Sequence, residues 1–289
     1  MPGDLHCHTK LSISSMGLDD LIVLAAKRGV NTVAITDRDC QAGTVRGKII
    51  GERRGVTVIP GVELSCTDSE SGKSVHLLGY LCDSPDRLEG LCKKNTLVSK
   101  KAAQFMILKI AARYPISAEL VVKCATGSTA VFREHIMHAL MECGLTDSIH
   151  GELYHKLFDP ESPDNVIVEP KYSDPVDVLN AIHEAGGIAV LAHPVENGNL
   201  DLIPKLVEAG LDGIEVWHPA HTQEDADALL KITADNNLLA IGGSDFKGMY
   251  GSKAVCVGDV LTPDAEMKAL LTYKAKMKKR AAAGKKAEE

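Results

Sequence analysis

Gly3-Asp4-Leu5-His6-Cys7-His8-Thr9 opens the chain with a short apolar run that carries two histidines one residue apart. On an extended strand alternate side chains share a face, so His6 and His8 can converge on one ion. Two neutral imidazoles held that way are a common start of a metal site, although a His-x-His pair alone is more often ordinary packing. The rest of the chain gives the pair its weight. Isolated Asp, Glu and His residues recur at the ends of later strand-like runs, where a barrel would return them to the same mouth.

Taken in order, residues 17–29 have the apolar spacing of a helix, and the β-branched run 32–36 leads into Asp37-Arg38-Asp39. A helix is expected over about 42–54, then a strand that reaches Glu63 and another, 75–80, that carries His76. From about residue 86 the rhythm changes to helical patterns, at 91–113 and 131–144, and a Pro-, Asp- and Asn-rich loop over 159–171. The alternation then resumes. A helix spans 174–185, a buried strand delivers His193-Pro194, a third run ends in Trp217-His218, and a fourth delivers Ser244-Asp245. Strand and helix at this spacing predict parallel α/β construction. The expected division is a discontinuous barrel domain over 1–85 and 173–273, a helical insert over 86–172, and a Lys-rich tail over 274–289 that frays or is disordered.

Composition bounds the partners. The 289 residues suffice for one large core, or a core and a small second domain. A net charge of −7 argues against a nucleic-acid polymer read through its phosphates, but not against a small anion in a local positive pocket. The eight cysteines form no C-x-x-C pair and read as reduced, mostly buried thiols. The start is not that of a signal peptide and no apolar run reaches membrane-spanning length, so a cytoplasmic location with no membrane partner is expected. The sequence leaves the oligomeric state open.

His6, His8, Glu63, His76, His193 and Asp245 offer mixed N and O donors suited to two divalent ions such as Mn, Zn or Fe. A shared carboxylate can hold two ions roughly 3.5–4 Å apart, the two-metal arrangement for hydrolysis at phosphorus. The strings DLHCHTKLS (4–12), AITDRDC (34–40), VIPGVELS (58–65), VHLLGY (75–80), AVLAHP (189–194) and GGSDF (242–246) resemble the PHP (polymerase and histidinol phosphatase) superfamily of metal-dependent phosphoesterases. The resemblance runs from residue 3 to about 258, and Arg133-Glu134-His135-Ile136 with Ala139-Leu140 is similar to a segment of its stand-alone small-molecule members. It implies a distorted (β/α)7 barrel with a small inserted α-helical domain. It also implies one metal on His6, His8, Glu63 and Asp245, and a second on the shared Glu63 with His76 and His193, manganese being the first expectation and zinc or iron the alternatives.

The departures from that pattern are as informative. Members of the family commonly hold a third metal through three further positions, which read here Ile13, Arg38 and Lys247. All three ligands of one site are missing and none from the other two, so one ion is lost as a unit. Two of the replacements are cations. They carry about +2 where a divalent ion with one Asp and two neutral His would leave about +1. An arginine fork clamps phosphate oxygens and a lysine supplies a point charge. Arg38 and Lys247 are therefore expected to serve as substrate-binding and catalytic phosphate clamps, against the plainer reading of two rim cations reaching for solvent.

The expected reaction is hydrolysis of a small phosphate ester, mono- or diester, of a nucleotide or sugar phosphate, with a water activated between the ions as nucleophile. His218 is the first candidate to protonate the leaving group. Asp37 and Asp39 are expected behind the ligands, orienting histidines or pairing with Arg38. In the insert, Arg133, His135 and Lys171 are the candidate substrate contacts. His138, His150, His155, His183 and His221 carry no motif and read as ordinary residues. The alternatives are a catalytically weakened PHP domain that binds a phosphometabolite or regulates, a polymerase-type exonuclease, and an amidohydrolase, for which no bridging lysine stands at a strand end.

Overall fold

The computed structural model describes residues 1–288, with side chains through Met277. The chain runs β1 (Asp4–Cys7), α1 (Leu18–Lys27), β2 (Thr32–Ile35), α2 (Thr44–Arg54), β3 (Thr57–Thr67) and β4 (Ser74–Tyr80). Four helices without a strand come next: α3 (Glu89–Ala111), α4 (Ala118–Cys124), α5 (Arg133–Glu142) and α6 (Glu152–Phe158). Then come α7 (Pro175–Glu184), β5 (Ile188–Leu191), α8 (Ile203–Glu208), β6 (Gly213–Trp217), α9 (Gln223–Asn236), β7 (Leu239–Gly242) and α10 (Asp264–Glu288).

The seven strands form one curled sheet in sequence order. Its two edges meet where the His8 amide donates to the Phe246 carbonyl at 3.0 Å and the Phe246 amide to the His6 carbonyl at 3.3 Å. Strands such as Ile188–Leu191 are apolar throughout and wholly buried, because helices cover one face and the barrel interior the other. Leu5, Ala34, Ile59, Leu78, Tyr80, Val190 and Ile241 fill the interior. Met267 and Leu270 of α10 join that cluster, so α10 packs against the barrel core. The tail expected to fray from 274 begins anchored, with Lys274 Nζ at 2.6 Å from both the Leu81 carbonyl and Asp83. Side chains beyond Met277 lie outside the described residues.

One strand departs from the parallel expectation. β4 runs antiparallel to both β3 and β5. Only residues 68–73 join β3 to β4, with Gly72 at φ +73, too short for the dozen or so residues of a parallel crossover. His76 thus stands near the amino end of a reversed strand, which brings it to the mouth where the other strands finish.

The helical stretch has its own core of Ala103, Ile107, Ile110, Ile136, Met137, Leu140 and Leu157. It meets the loop after β1 through Thr129, whose amide donates to the Leu11 carbonyl (2.9 Å), and Ser128, whose hydroxyl donates to the Ser12 carbonyl (2.7 Å). Asp39 forms the other joint. Its carboxylate accepts from the Ser65 amide (3.1 Å) and hydroxyl (2.7 Å) on β3 and from Asn95 Nδ2 (2.7 Å) on α3. Asp39 was expected to orient a histidine or pair with Arg38; instead it bolts the insert to the sheet. All eight cysteines are free, and Cys7, Cys40, Cys66 and Cys92 are buried. No helix among the described residues is long and apolar enough to cross a membrane.

Burial raises Asp39 to about 6, against the lowering effect of its Asn95 and Ser65 hydrogen bonds. A carboxyl whose folded pKa exceeds its unfolded value of about 3.9 subtracts stability as it ionises, here progressively from about pH 4 to 6 and fully above. Two units correspond to about 3 kcal/mol at most. Asp39→Asn keeps an acceptor for Ser65 and Asn95, can donate to the Ser65 hydroxyl, and suits φ 50. It is expected to melt no lower than the parent at pH 7.5 and to flatten the stability profile between pH 4 and 6. Thermal melts across that range that show a large loss at pH 7.5 would contradict this account.

Candidate metal centre

Six donors converge at the barrel mouth. His8 Nε2 lies 3.1 Å from Asp245 Oδ1 and 3.6 Å from Glu63 Oε2, and His6 Nε2 lies 3.5 Å from Asp245 Oδ1 and 3.7 Å from Glu63 Oε1. On the other side of Glu63, His76 Nδ1 and His193 Nε2 approach Oε1 at 3.1 and 3.2 Å and each other at 3.3 Å. His6, Glu63 and His193 form one group of donors close enough for an ion, and His6, His8 and Asp245 another.

The local backbone explains the convergence. Glu63 lies mid-strand in β3, level with Arg38 just past the shorter β2, so it faces the mouth where β2 has already ended. A Cβ on Gly243 would sit 2.3 Å from the His6 amide, so only glycine lets the end of β7 come this close to β1. His193 (φ 26) and Asp245 (φ 45) adopt left-handed backbone, a strain of order 1–3 kcal/mol each that the surrounding structure must hold.

A third carboxylate, absent from the sequence reading, organises the histidines from behind. Glu215 of β6 is fully buried and accepts from His6 Nδ1 at 2.9 Å and from the His193 amide at 2.8 Å. Burial would raise its pKa, yet His6, His218 and His193 bring it down to about 2. The signal was present as a lone Glu in the apolar strand Gly-Ile-Glu-Val-Trp. Glu196, also unanticipated, places Oε2 3.9 Å from both His193 Nδ1 and His218 Nε2.

No protein-family model matches the chain. It is 35% identical over 251 residues, 86% of this chain and 95% of the relative, to a phosphoribosyl 1,2-cyclic phosphate 1,2-diphosphodiesterase of Eggerthella lenta. The chain belongs to the PHP superfamily of metal-dependent phosphoesterases. It is also 28% identical to a 3′,5′-nucleoside bisphosphate phosphatase of Chromobacterium violaceum (84% of this chain, 86% of the relative) and, at the same identity, to a 5′-3′ exoribonuclease of Haemophilus influenzae (84% of this chain, 89% of the relative). A structure from Bifidobacterium adolescentis assigned as a metal-dependent phosphoesterase superposes with a TM-score of 0.84 at 27% identity, covering 93% of this chain and 94% of that one. One from Chromobacterium violaceum, described as an amidohydrolase with bound sulfate and no metal, gives 0.78 at 26% identity over 89% and 90%.

The donor set of this PHP chain fits the divalent ions its family uses. His6 Nε2 is buried without a hydrogen-bond partner and points at two carboxylates, the situation a cation resolves. Neutral imidazole and carboxylate oxygen suit Mn, Zn or Fe.

Ile13, Arg38 and Lys247, expected in place of a third ion's ligands, lie beside it. Ile13 is buried. Arg38 Nε donates to Glu63 Oε2 at 2.7 Å and Lys247 Nζ to Asp245 Oδ2 at 2.5 Å. Burial opposes both charges, but Glu63 and Asp245 respectively raise the two pKa values. Each of these two carboxylates thus gives one oxygen to a side-chain cation and keeps the other, Oε1 or Oδ1, among the histidines.

Other expected residues sit differently. Asp37 accepts from the Thr9 amide (2.7 Å) and hydroxyl (2.6 Å) and the Ser12 hydroxyl (2.6 Å), and reaches a histidine only through Ser12, 3.5 Å from His8 Nδ1. His218 is at the cluster, with Nε2 3.4 Å from Asp245 Oδ2, but its Nδ1 accepts the Ala220 amide at 3.1 Å. With Nδ1 accepting, Nε2–H is left to donate a hydrogen bond toward Asp245. Arg133 pairs with Glu169 at 2.7 Å and lies over Phe158, 5.7 Å from the ring centroid. His135 is buried, its Nδ1 accepts the Phe132 amide at 3.1 Å, and burial lowers its pKa to about 4. Lys171 is exposed on the connecting loop. The helix periodicity of the insert did not reveal that Arg133 and His135 are occupied within it.

This geometry has two measurable consequences. In the metal-free chain, burial opposes charge on His6, but Glu215, Asp245 and Glu63 raise it to about 9. An ion takes the neutral ring and must displace that proton, so Mn affinity is expected to tighten about tenfold from pH 7 to pH 8. A pH-independent affinity by calorimetry would contradict the role of His6. Glu215→Gln keeps the shape but offers one oxygen for two donors, so its amide N–H must face either the His193 N–H or His6 Nδ1–H. It is expected to weaken metal binding about 10- to 100-fold with the fold retained by circular dichroism.

Proposed function

We propose that this PHP phosphoesterase hydrolyses a small phosphorylated metabolite, a cyclic phosphodiester or phosphomonoester of a sugar or nucleotide. Two divalent ions would be held by His6, His8, Glu63 and Asp245 and by Glu63, His76 and His193. The observation that carries the reading is the convergence of these six side chains, with Arg38 and Lys247 bound to the two carboxylates at the same mouth. The relative at 35% identity acts on a ribosyl cyclic phosphate, which favours a cyclic diester as the first substrate to try.

When bound, the ions supply a lowered water pKa and positive charge toward the phosphoryl group. The chain's own residues do the rest. Arg38 bonds Glu63 through Nε alone, which leaves its two Nη groups to grip equatorial oxygens, and Lys247 adds a fixed charge beside them. His218 directs Nε2–H into the site as a hydrogen-bond donor. Glu215 stands behind His6, where it limits the motion of the ring, and holds the His193 backbone. His76 stays neutral and able to ligate, because burial and then Arg38 lower its pKa to about 4.

The test is turnover by the Mn-loaded chain on ribose cyclic phosphates, a nucleoside 3′,5′-bisphosphate, and a 5′-phosphorylated oligoribonucleotide. Turnover of a small ester with about two metals per chain supports the proposal. Preference for the oligonucleotide would replace it with the exonuclease reading, and two metals without turnover on any of them with the binding module. Arg38→Ala and Lys247→Ala are each expected to raise KM about tenfold or more without restoring a third metal. Unchanged kinetics in both would remove the clamp.

A further inference from the structure

The loop after β7 carries Asp245, Phe246 and Lys247 and then a single turn, Gly248–Tyr250. One end is fixed to the barrel, where Phe246 pairs with His6 and His8. The other end leaves the barrel altogether. Tyr250 is only 4% exposed and sits in the helical insert's core with Ile136, Met137 and Leu140, where every other member lies between residues 102 and 168. Its hydroxyl lies 2.9 Å from His138 Nδ1, its carbonyl accepts from His150 Nε2 at 2.9 Å, and the His135 ring meets its own edge-on at 5.2 Å. Three insert histidines thus surround one barrel tyrosine.

Between the two ends the backbone is held closely. The Ser15 amide donates to the Lys247 carbonyl at 3.2 Å, and the Met249 amide donates to the Ser15 hydroxyl at 2.9 Å. Gly248 has φ +61, and a Cβ there would come within 2.3 Å of that hydroxyl. A lysine ammonium on its four-carbon stem is otherwise a loosely aimed charge. It can be aimed only if its backbone is.

We propose that Tyr250 is a positioning residue: seated in the insert, it fixes the loop that presents Lys247 at Asp245, and so couples the placement of the insert to the grip on phosphate. The inference rests on the reading of Lys247 as a phosphate clamp. An aromatic that merely filled the insert's core would give the same burial but no dependence on Lys247, and a double-mutant cycle separates the two.

The full chain, Mn-loaded, is assayed as Tyr250→Ala, Tyr250→Phe, Lys247→Ala and the two double variants. KM, kcat and inhibition by inorganic phosphate are read, together with amide hydrogen exchange over 245–251 in the metal-free chain. Tyr250→Ala is expected to raise KM and the phosphate inhibition constant about tenfold with kcat changed less, and to speed loop exchange about tenfold. Tyr250→Phe, which keeps the ring and loses the His138 bond, is expected to shift both constants about two- to threefold. Neither substitution should weaken a chain that already carries Lys247→Ala. Multiplicative losses in the double variants, or no loss in the single Tyr250 variants while Lys247→Ala is impaired, would overturn the inference alone. An unimpaired Lys247→Ala would instead sink the clamp reading, and this inference with it. Should Tyr250→Ala fail to fold, Tyr250→Phe and its double variant carry the same comparison.

Discussion

A carboxylate without water sets the terms for the rest of this structure. Glu63 is fully buried halfway along β3. An isolated carboxylate there would carry a desolvation cost large enough to force its protonation. Instead its pKa is held well below the usual range despite burial, first by Arg38 and then by His76 and His193. Asp245 is treated alike, by Lys247 and then His6, His218 and His8. Removing any one partner leaves a buried charge short of compensation, which costs far more than the intact pair contributes. In the metal-free chain the partners are therefore interdependent.

That demand shapes the barrel. The partners come from β1, the loops after β2, β5, β6 and β7, and the reversed β4, so the sheet must close to within a glycine's thickness at Gly243 and turn left-handed at His193 and Asp245. Glu215 links two of these arrivals, binding His6 on one strand edge and the His193 backbone on the other. The hairpin that reverses β4 interrupts the strand–helix alternation and still delivers His76 to the mouth.

Much of this was legible before any coordinates. Strand-end histidines and carboxylates stand out because the apolar runs that precede them are short and uniform. What escaped was of two kinds. Glu215 escaped because a carboxylate inside a strand gives no spacing signal of its own; only its burial and its two histidine-side bonds reveal its work. The insert contacts escaped because helical periodicity gives a face and not a neighbour. Arg133 is spent on Glu169, while His138 and His150, which read as ordinary, hold Tyr250. The same limit applies to His218, since a backbone amide two residues away fixes its tautomer.

On the proposed reading, Arg38 and Lys247 in place of a third ion have a chemical consequence beyond charge. An ion bound at that place could be lost by dilution or chelation; a guanidinium and an ammonium cannot. Each also takes one oxygen of a carboxylate that would hold the remaining ions, Oε2 of Glu63 and Oδ2 of Asp245. A hydrogen bond from a cation draws electron density from a ligand oxygen, so the ions would be held less tightly and act as stronger Lewis acids. On the proposed reading, one change then lowers the number of metals needed, makes part of the phosphate-binding charge permanent, and sharpens the metals that remain.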